Sequence, residues 1–120
     1  MPELYTYKLH QIAEIDGDTV MASIDLGFNI IMADIHIRVY GIDCPEKATI
    51  EGKAARAFTR DWIDEHWLRQ GKPVYVTVQS HKRDKYGRIL GTVFADGSVL
   101  ADELKAQGHA VEYFGGKKQA

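Results

Sequence analysis

The chain is poor in the residues that would announce a specialised scaffold. Its 120 residues include a single cysteine, Cys44, which excludes an internal disulfide framework and a cysteine-rich zinc site. Five histidines are present, but none are spaced as HxH or HxxxH, so a histidine-based zinc centre has little support. No segment approaches the ~18 consecutive apolar residues of a membrane span. The opening stretch MPELYTYKLHQIAEI lacks a basic region followed by an apolar run, so no secretion signal is read and a cytoplasmic protein is expected. Charge of one sign is lacking too: 15 basic against 17 acidic residues give a net charge of −2. That balance excludes a strongly basic nucleic-acid wrapper and an acidic solvating tail. It leaves open a site of local charge, since net charge describes the whole surface.

What is present fits one domain. A chain of this length can bury about two-thirds of its unfolded surface, enough for one core but not for two. Hydrophobic residues make up 45% and charged residues 27%, the proportions of an ordinary globular protein. The charges are unevenly placed. Residues 1–50 carry 3 basic and 8 acidic side chains, whereas 51–100 carry 9 basic and 6 acidic. The sharpest cluster is HKRDKYGR at 81–88. A cation site beside an anion site would produce this pattern; so would two solvated faces.

Alternation of apolar and polar residues predicts strands over Tyr5–Ile15, Thr19–Leu26, Ile30–Tyr40, Val74–Gln79 and Arg88–Phe94. In the third, Ile31, Ala33, Ile35, Ile37 and Val39 share one parity and Arg38 falls on the other. Between Glu51 and Arg69 the period lengthens to 3.6, with Ala55, Phe58 and Trp62 on one face, ending at Gly71-Lys72-Pro73. A short helix should run to Gln107, capped by Ser98 or Asp102 and stopped by Gly108. The expected fold is α+β and mainly β: a five-stranded Greek-key barrel of the OB type, with a helix between strands three and four and a short helix after strand five. Residues 1–114 form the domain and 115–120 a flexible tail.

Chemistry concentrates at the turns. Asp16-Gly17-Asp18 joins two strands, and Asp43-Cys44-Pro45-Glu46 follows a third. If those strands are neighbours, Asp18, Asp43 and Glu46 can converge, and ionised carboxylates brought together call for a hard cation such as Ca²⁺ or Mg²⁺. A plain hairpin turn accounts for Asp16-Gly17 equally well. A thiolate is a poor Ca²⁺ ligand, so Cys44 would offer its backbone carbonyl. Arg38 and Arg88 could each grip two phosphate oxygens, or simply form surface ion pairs. Lys85 and Tyr86 could make a platform for a phosphate and a stacked base, and Tyr113 with Phe114 could add a second aromatic wall, or Tyr113 could simply close the barrel.

Taken together, IDGDTV (15–20), IRVYGIDCPE (37–46), GKAARAFT (52–59), DKYGR (84–88), FADG (94–97) and LKAQGHA (104–110) resemble the staphylococcal (micrococcal) nuclease family, in order and over roughly Tyr5 to Phe114. The resemblance implies a Ca²⁺-dependent phosphodiesterase of low base specificity acting on DNA and RNA, with Mg²⁺ or Mn²⁺ as possible substitutes. By motif, Asp18, Asp43 and the Cys44 carbonyl would hold one Ca²⁺, with Glu46 joining through a water. Glu46 would act as general base, Arg38 and Arg88 would stabilise the phosphorane-like transition state, and Lys85 and Tyr86 would contact a terminal phosphate of the nucleotide, with Tyr113 the further nucleotide-binding candidate from its place late in the chain. Cys44 stands where the family often has threonine. The segment after Glu46 is shorter than in the secreted prototype, and the chain ends where that prototype continues into a third helix; both look like compact bacterial or phage-type members. No membrane and no obligatory protein partner are expected. A catalytically silent nucleic-acid-binding barrel is the alternative, and it predicts a gap among Asp18, Arg38, Asp43, Glu46 and Arg88 that the sequence does not have.

Overall fold

A computed structural model of the protein describes residues 5–80 and 88–113. Its first two strands, β1 (Thr6–Asp16) and β2 (Thr19–Gly27), pair antiparallel and close on Asp16 opposite Thr19, with Gly17-Asp18 as the turn. Strand β3 (Ile30–Val39) returns along β2 through a two-residue loop, Phe28-Asn29. Both loop residues have positive φ, 56° and 64°, the backbone a tight hairpin demands. Phe28 projects from this tip almost wholly exposed.

Two irregularities decide which side chains enter the barrel. Between His10 and Ala13, β1 carries one residue more than β2 opposite, and Gln11 there has φ 54°. Between Met32 and Ile35, β3 is likewise longer than β2, with Asp34 at φ 56°. Such bulges reverse the inward parity. Leu9 and Ile12 are therefore both buried, and Met32 joins Ile35 against the core. The apolar row expected in the third strand is corrected accordingly: Ile31 is half exposed and Ala33 is exposed, while Ile37 and Val39 stay buried.

The short strand β4 (Ile42–Asp43) leads towards helix α1 (Ile50–Ile63), which buries Ala55, Thr59, Trp62 and Ile63. The expected helix to Arg69 is present, but its last six residues, Asp64–Arg69, widen into a π-helical turn. Strands β5 (Val74–Ser80) and β6 (Ile89–Ala95) then pair antiparallel, and β5 also lies against β1. Parallel pairing of β3 with β6, Ile37 opposite Ile89 and Arg38 opposite Leu90, completes the circle. The result is a closed five-stranded barrel with two helices, as the sequence led one to expect.

Two-residue strand β7 (Ser98–Val99) precedes α2 (Leu100–Ala106), and β8 (Val111–Glu112) pairs with β4. Neither Ser98 nor Asp102 caps α2: Val99 occupies the cap position, and the Ser98 hydroxyl instead accepts the Trp62 indole N–H at 2.9 Å. Gly108, with φ 76°, follows the helix end as expected. The expected tail at 115–120 lies outside the described residues. Among the described residues, no helix is long and apolar enough to cross a membrane.

At the barrel seam, buried Gly91 faces both β3 and β5. A β-carbon there would lie 2.5 Å from Val76 Cγ2 and 3.1 Å from the Thr77 carbonyl oxygen. Gly91→Val should cost about 1–3 kcal/mol through overpacking. Urea denaturation checks this; an unchanged midpoint would contradict so tight a seam.

Candidate active site

Barrel closure gathers charge at one end. Thr19 at the start of β2 lies opposite Arg38 near the end of β3, and the Asp18 carbonyl accepts the Val39 N–H at 2.8 Å. The turn before β2 is thereby pinned to the strand that carries the arginine. Asp18 itself is only 8% exposed. Its Oδ2 accepts the Cys44 backbone N–H at 3.0 Å and stands 3.5 Å from Arg38 Nη1, while its Oδ1 accepts the Thr19 hydroxyl at 3.4 Å. Burial pushes its carboxyl above the usual range, against the pull of Arg38 and the Cys44 N–H; nearby Asp16 adds to the rise.

Arg38 spans the gap between two carboxylates. Its Nη2 donates to Asp43 Oδ1 at 3.2 Å, and its Nη1 donates to the Val39 carbonyl at 3.1 Å. The side chains of Arg38, Asp18 and Asp43 are 13%, 12% and 17% exposed, so these are not the solvated pairs of a protein surface. Arg88, at the entry to β6, donates through Nη1 to the Thr19 hydroxyl at 3.5 Å. Asp43, Arg38, Asp18, Thr19 and Arg88 thus form one continuous polar chain drawn from three strands, one turn and the residue that precedes β6.

Other expected residues fall differently. Glu46 is exposed, and among the described residues no bond joins its carboxylate to this chain. Tyr113 is half-buried beside the β4–β8 pair, its N–H donating to the Gly41 carbonyl at 2.9 Å. Lys85 and Tyr86 lie outside the described residues, as does Phe114.

The model of the family described as staphylococcal nuclease homologue matches residues 36–120. The chain belongs to that family. The match takes in Arg38, Asp43, Glu46 and Arg88 and begins after Asp18, which the β2–β3 pairing brings to them. Among similar proteins, a probable staphylococcal-like nuclease, CAN1, of Oryza sativa subsp. japonica is 31% identical over 87 residues, 72% of this chain and 24% of that protein. A probable endonuclease, lcl3, of Aspergillus niger is 33% identical over 63 residues, 50% of this chain and 21% of that one. The chain spans less than a quarter of the length of these curated relatives.

Within this nuclease-family barrel, three threonines matter that the sequence reading passed over. Thr19 links Asp18 to Arg88. Thr59, fully buried on α1, donates its hydroxyl to the Gly17 carbonyl at 2.8 Å, holding the Asp16–Asp18 turn against the helix. Gly17 lies so close there that a β-carbon would sit 2.8 Å from both Ala55 Cβ and Cys44 Sγ. Thr49 caps α1 by accepting the Gly52 N–H at 2.9 Å. A threonine just before a helical run is a readable cap signal; Thr59 leaves no comparable mark, because its partner is settled by packing.

The oxygen donors that could be offered to a hard divalent cation are one buried and one largely buried carboxylate, Asp18 and Asp43, both already engaged by Arg38. Among the described residues, no three His, Cys, Asp or Glu side chains cluster at metal-holding spacing, so backbone carbonyls and water would have to complete any coordination. The Cys44 thiol contributes nothing as a thiolate. Burial, and the negative charge of Asp18 after it, push it up to about 12.

Two outcomes follow. At pH 8 the thiolate fraction of Cys44 should be about one in ten thousand, so a chromogenic disulfide reagent should label the native protein far more slowly than the urea-unfolded chain; equal rates would mean an accessible thiol. Thr59→Val keeps the side-chain shape but strands the Gly17 carbonyl, at an expected cost of about 1–3 kcal/mol. Chemical denaturation measures it, and a neutral result would show that the hydroxyl does not anchor the turn.

Proposed function

We propose that the chain hydrolyses phosphodiester bonds in DNA and RNA with little base selectivity and depends on Ca²⁺ to do so. One observation carries the reading: a single guanidinium, Arg38, is ion-paired with both Asp18 and Asp43, with Arg88 one hydroxyl away. Two arginines and two carboxylates at one end of a barrel suit a negatively charged substrate and a cation together. Family membership and the names of its relatives, nuclease and endonuclease, point to the same reaction.

In this reading Asp18, Asp43, the Cys44 carbonyl and, through a water, Glu46 would hold the ion, and Mg²⁺ or Mn²⁺ would be the substitutes to try. When bound, the ion would polarise the phosphodiester and offset its charge. The remaining work belongs to the side chains. Exposed Glu46 is free to accept a proton from an attacking water, the task of a general base. Arg38 and Arg88 donate to the non-bridging oxygens as these become more negative. Because the polar chain already fixes both arginines, little reorganisation is needed as charge develops. Lys85, Tyr86 and Tyr113 would hold the nucleotide by charge and stacking.

Cleavage of single-stranded DNA with Ca²⁺ and with a chelator tests the proposal. Glu46→Ala and Arg38→Ala should each lower the rate by ~10²–10³. Arg38→Lys keeps the charge but not the two-pronged grip, and should restore stability more than rate. Absence of Ca²⁺-dependent cleavage, or cleavage indifferent to both alanine variants, would sink the enzyme reading. Retained DNA binding without cleavage would favour a silent binding barrel.

A further inference from the structure

The short connection between Glu46 and α1 is built more firmly than an exposed loop requires. The Glu46 carbonyl oxygen accepts two bonds from Thr49: the backbone N–H at 3.0 Å and the hydroxyl at 2.6 Å. The same hydroxyl oxygen accepts the Gly52 N–H at 2.9 Å, and the Thr49 carbonyl accepts the Lys53 N–H at 3.0 Å. One side chain therefore caps the helix and ties down the backbone of Glu46. Gly52 makes room for this: a β-carbon there would run into the Glu46 carbonyl and lie 2.9 Å from Lys47 Cα. Gly52 is buried although its neighbours on either side are exposed.

From this arrangement we infer that Thr49 is a positioning residue for Glu46, fixing where the carboxylate's backbone sits relative to Asp43 by donating its hydroxyl proton to the Glu46 carbonyl. The inference rests on the reading of Glu46 as general base. The Glu46 side chain is exposed and receives no orienting bond of its own among the described residues, so its placement must come from the backbone. On one side Asp43 is held by Arg38 and by the β4–β8 pair. On the other, Thr49 locks the chain to the rigid start of α1. A displacement of about 1 Å in a reacting group can cost on the order of 10²-fold in rate, so a clamp on a three-residue turn has a large effect to protect.

Capping and clamping can be separated, because they use opposite sides of the hydroxyl. Thr49→Ser retains both. Thr49→Asp remains a good cap for the Gly52 N–H but has no proton to donate to Glu46. Thr49→Val loses both. Cleavage of single-stranded DNA in saturating Ca²⁺ should show kcat lowered roughly 10-fold or more in Thr49→Asp with KM little changed; Thr49→Ser should stay near the parent. The melting temperature should fall in Thr49→Val and hold in Thr49→Asp. Amide exchange, measured without Ca²⁺ or substrate, should quicken at position 49 in Thr49→Asp relative to the parent and stay near the parent rate in Thr49→Ser.

If Thr49→Asp keeps full kcat while Glu46→Ala abolishes it, the clamp is overturned and the general base stands. If Glu46→Ala retains activity, the general base falls and the inference falls with it. A kcat loss in Thr49→Asp matched by an equal loss in melting temperature would reduce Thr49 to a structural cap, and would also overturn the inference.

Discussion

A carboxylate buried beneath a barrel end has to find its partners within the protein, and the end of this barrel is arranged around that demand at Asp18. An isolated ion in such a place is costly, and removing one partner from a buried pair typically costs about 3–5 kcal/mol because the other charge is stranded. Asp18 is met by a backbone N–H from Cys44, a hydroxyl from Thr19 and the guanidinium of Arg38. Each of these comes from a different turn or strand. Satisfying one carboxylate therefore fixes the path of the chain after β3, the register of β2 against β3, and the direction of the arginine. Asp43 shares the same guanidinium, so the two acidic groups repel less than their closeness would otherwise require.

The support behind this cluster is mostly neutral. Thr59 and Thr49 carry no charge, yet both reach backbone carbonyls at the two ends of the acidic motifs, Gly17 on one side and Glu46 on the other. Helix α1 serves as a common brace for both. Its close approach depends on Gly17 and Gly52, where even a methyl group would collide with the opposing chain. A charged site on loops can be rigid only if something uncharged holds the loops, and here that is one face of one helix.

Most of the barrel is legible in the sequence because its strands alternate cleanly and its turns carry glycine, aspartate or asparagine. The five strands, the helix after the third and the acidic turns all follow from those patterns. Alternation fails at Gln11 and Asp34, since an extra residue in one strand is defined only by what its neighbour does. The two-residue strands β4 and β8 show no periodicity at all, and they are far apart in the chain. Within the site, the charged residues stand out by type and spacing. Thr59 does not, because an alcohol bonded to a backbone carbonyl looks in sequence like any other polar residue on a helix. Ser98 and Asp102 illustrate the converse: either can cap a helix in principle, but the Trp62 indole competes for Ser98, and only tertiary packing decides that.

The parallel seam between β3 and β6 also has a consequence in time. It joins residues about fifty positions apart, Ile37 and Ile89, whereas the hairpins on either side join near neighbours. Contacts between distant segments form late, because the intervening chain must be ordered before they return any energy. The hairpin carrying Asp18 and Arg38 can assemble early and locally, but Arg88 arrives only when the ring closes. A nascent or partly unfolded chain would then hold the acidic half of the cluster without its second arginine, and the complete constellation would exist only in the fully folded protein.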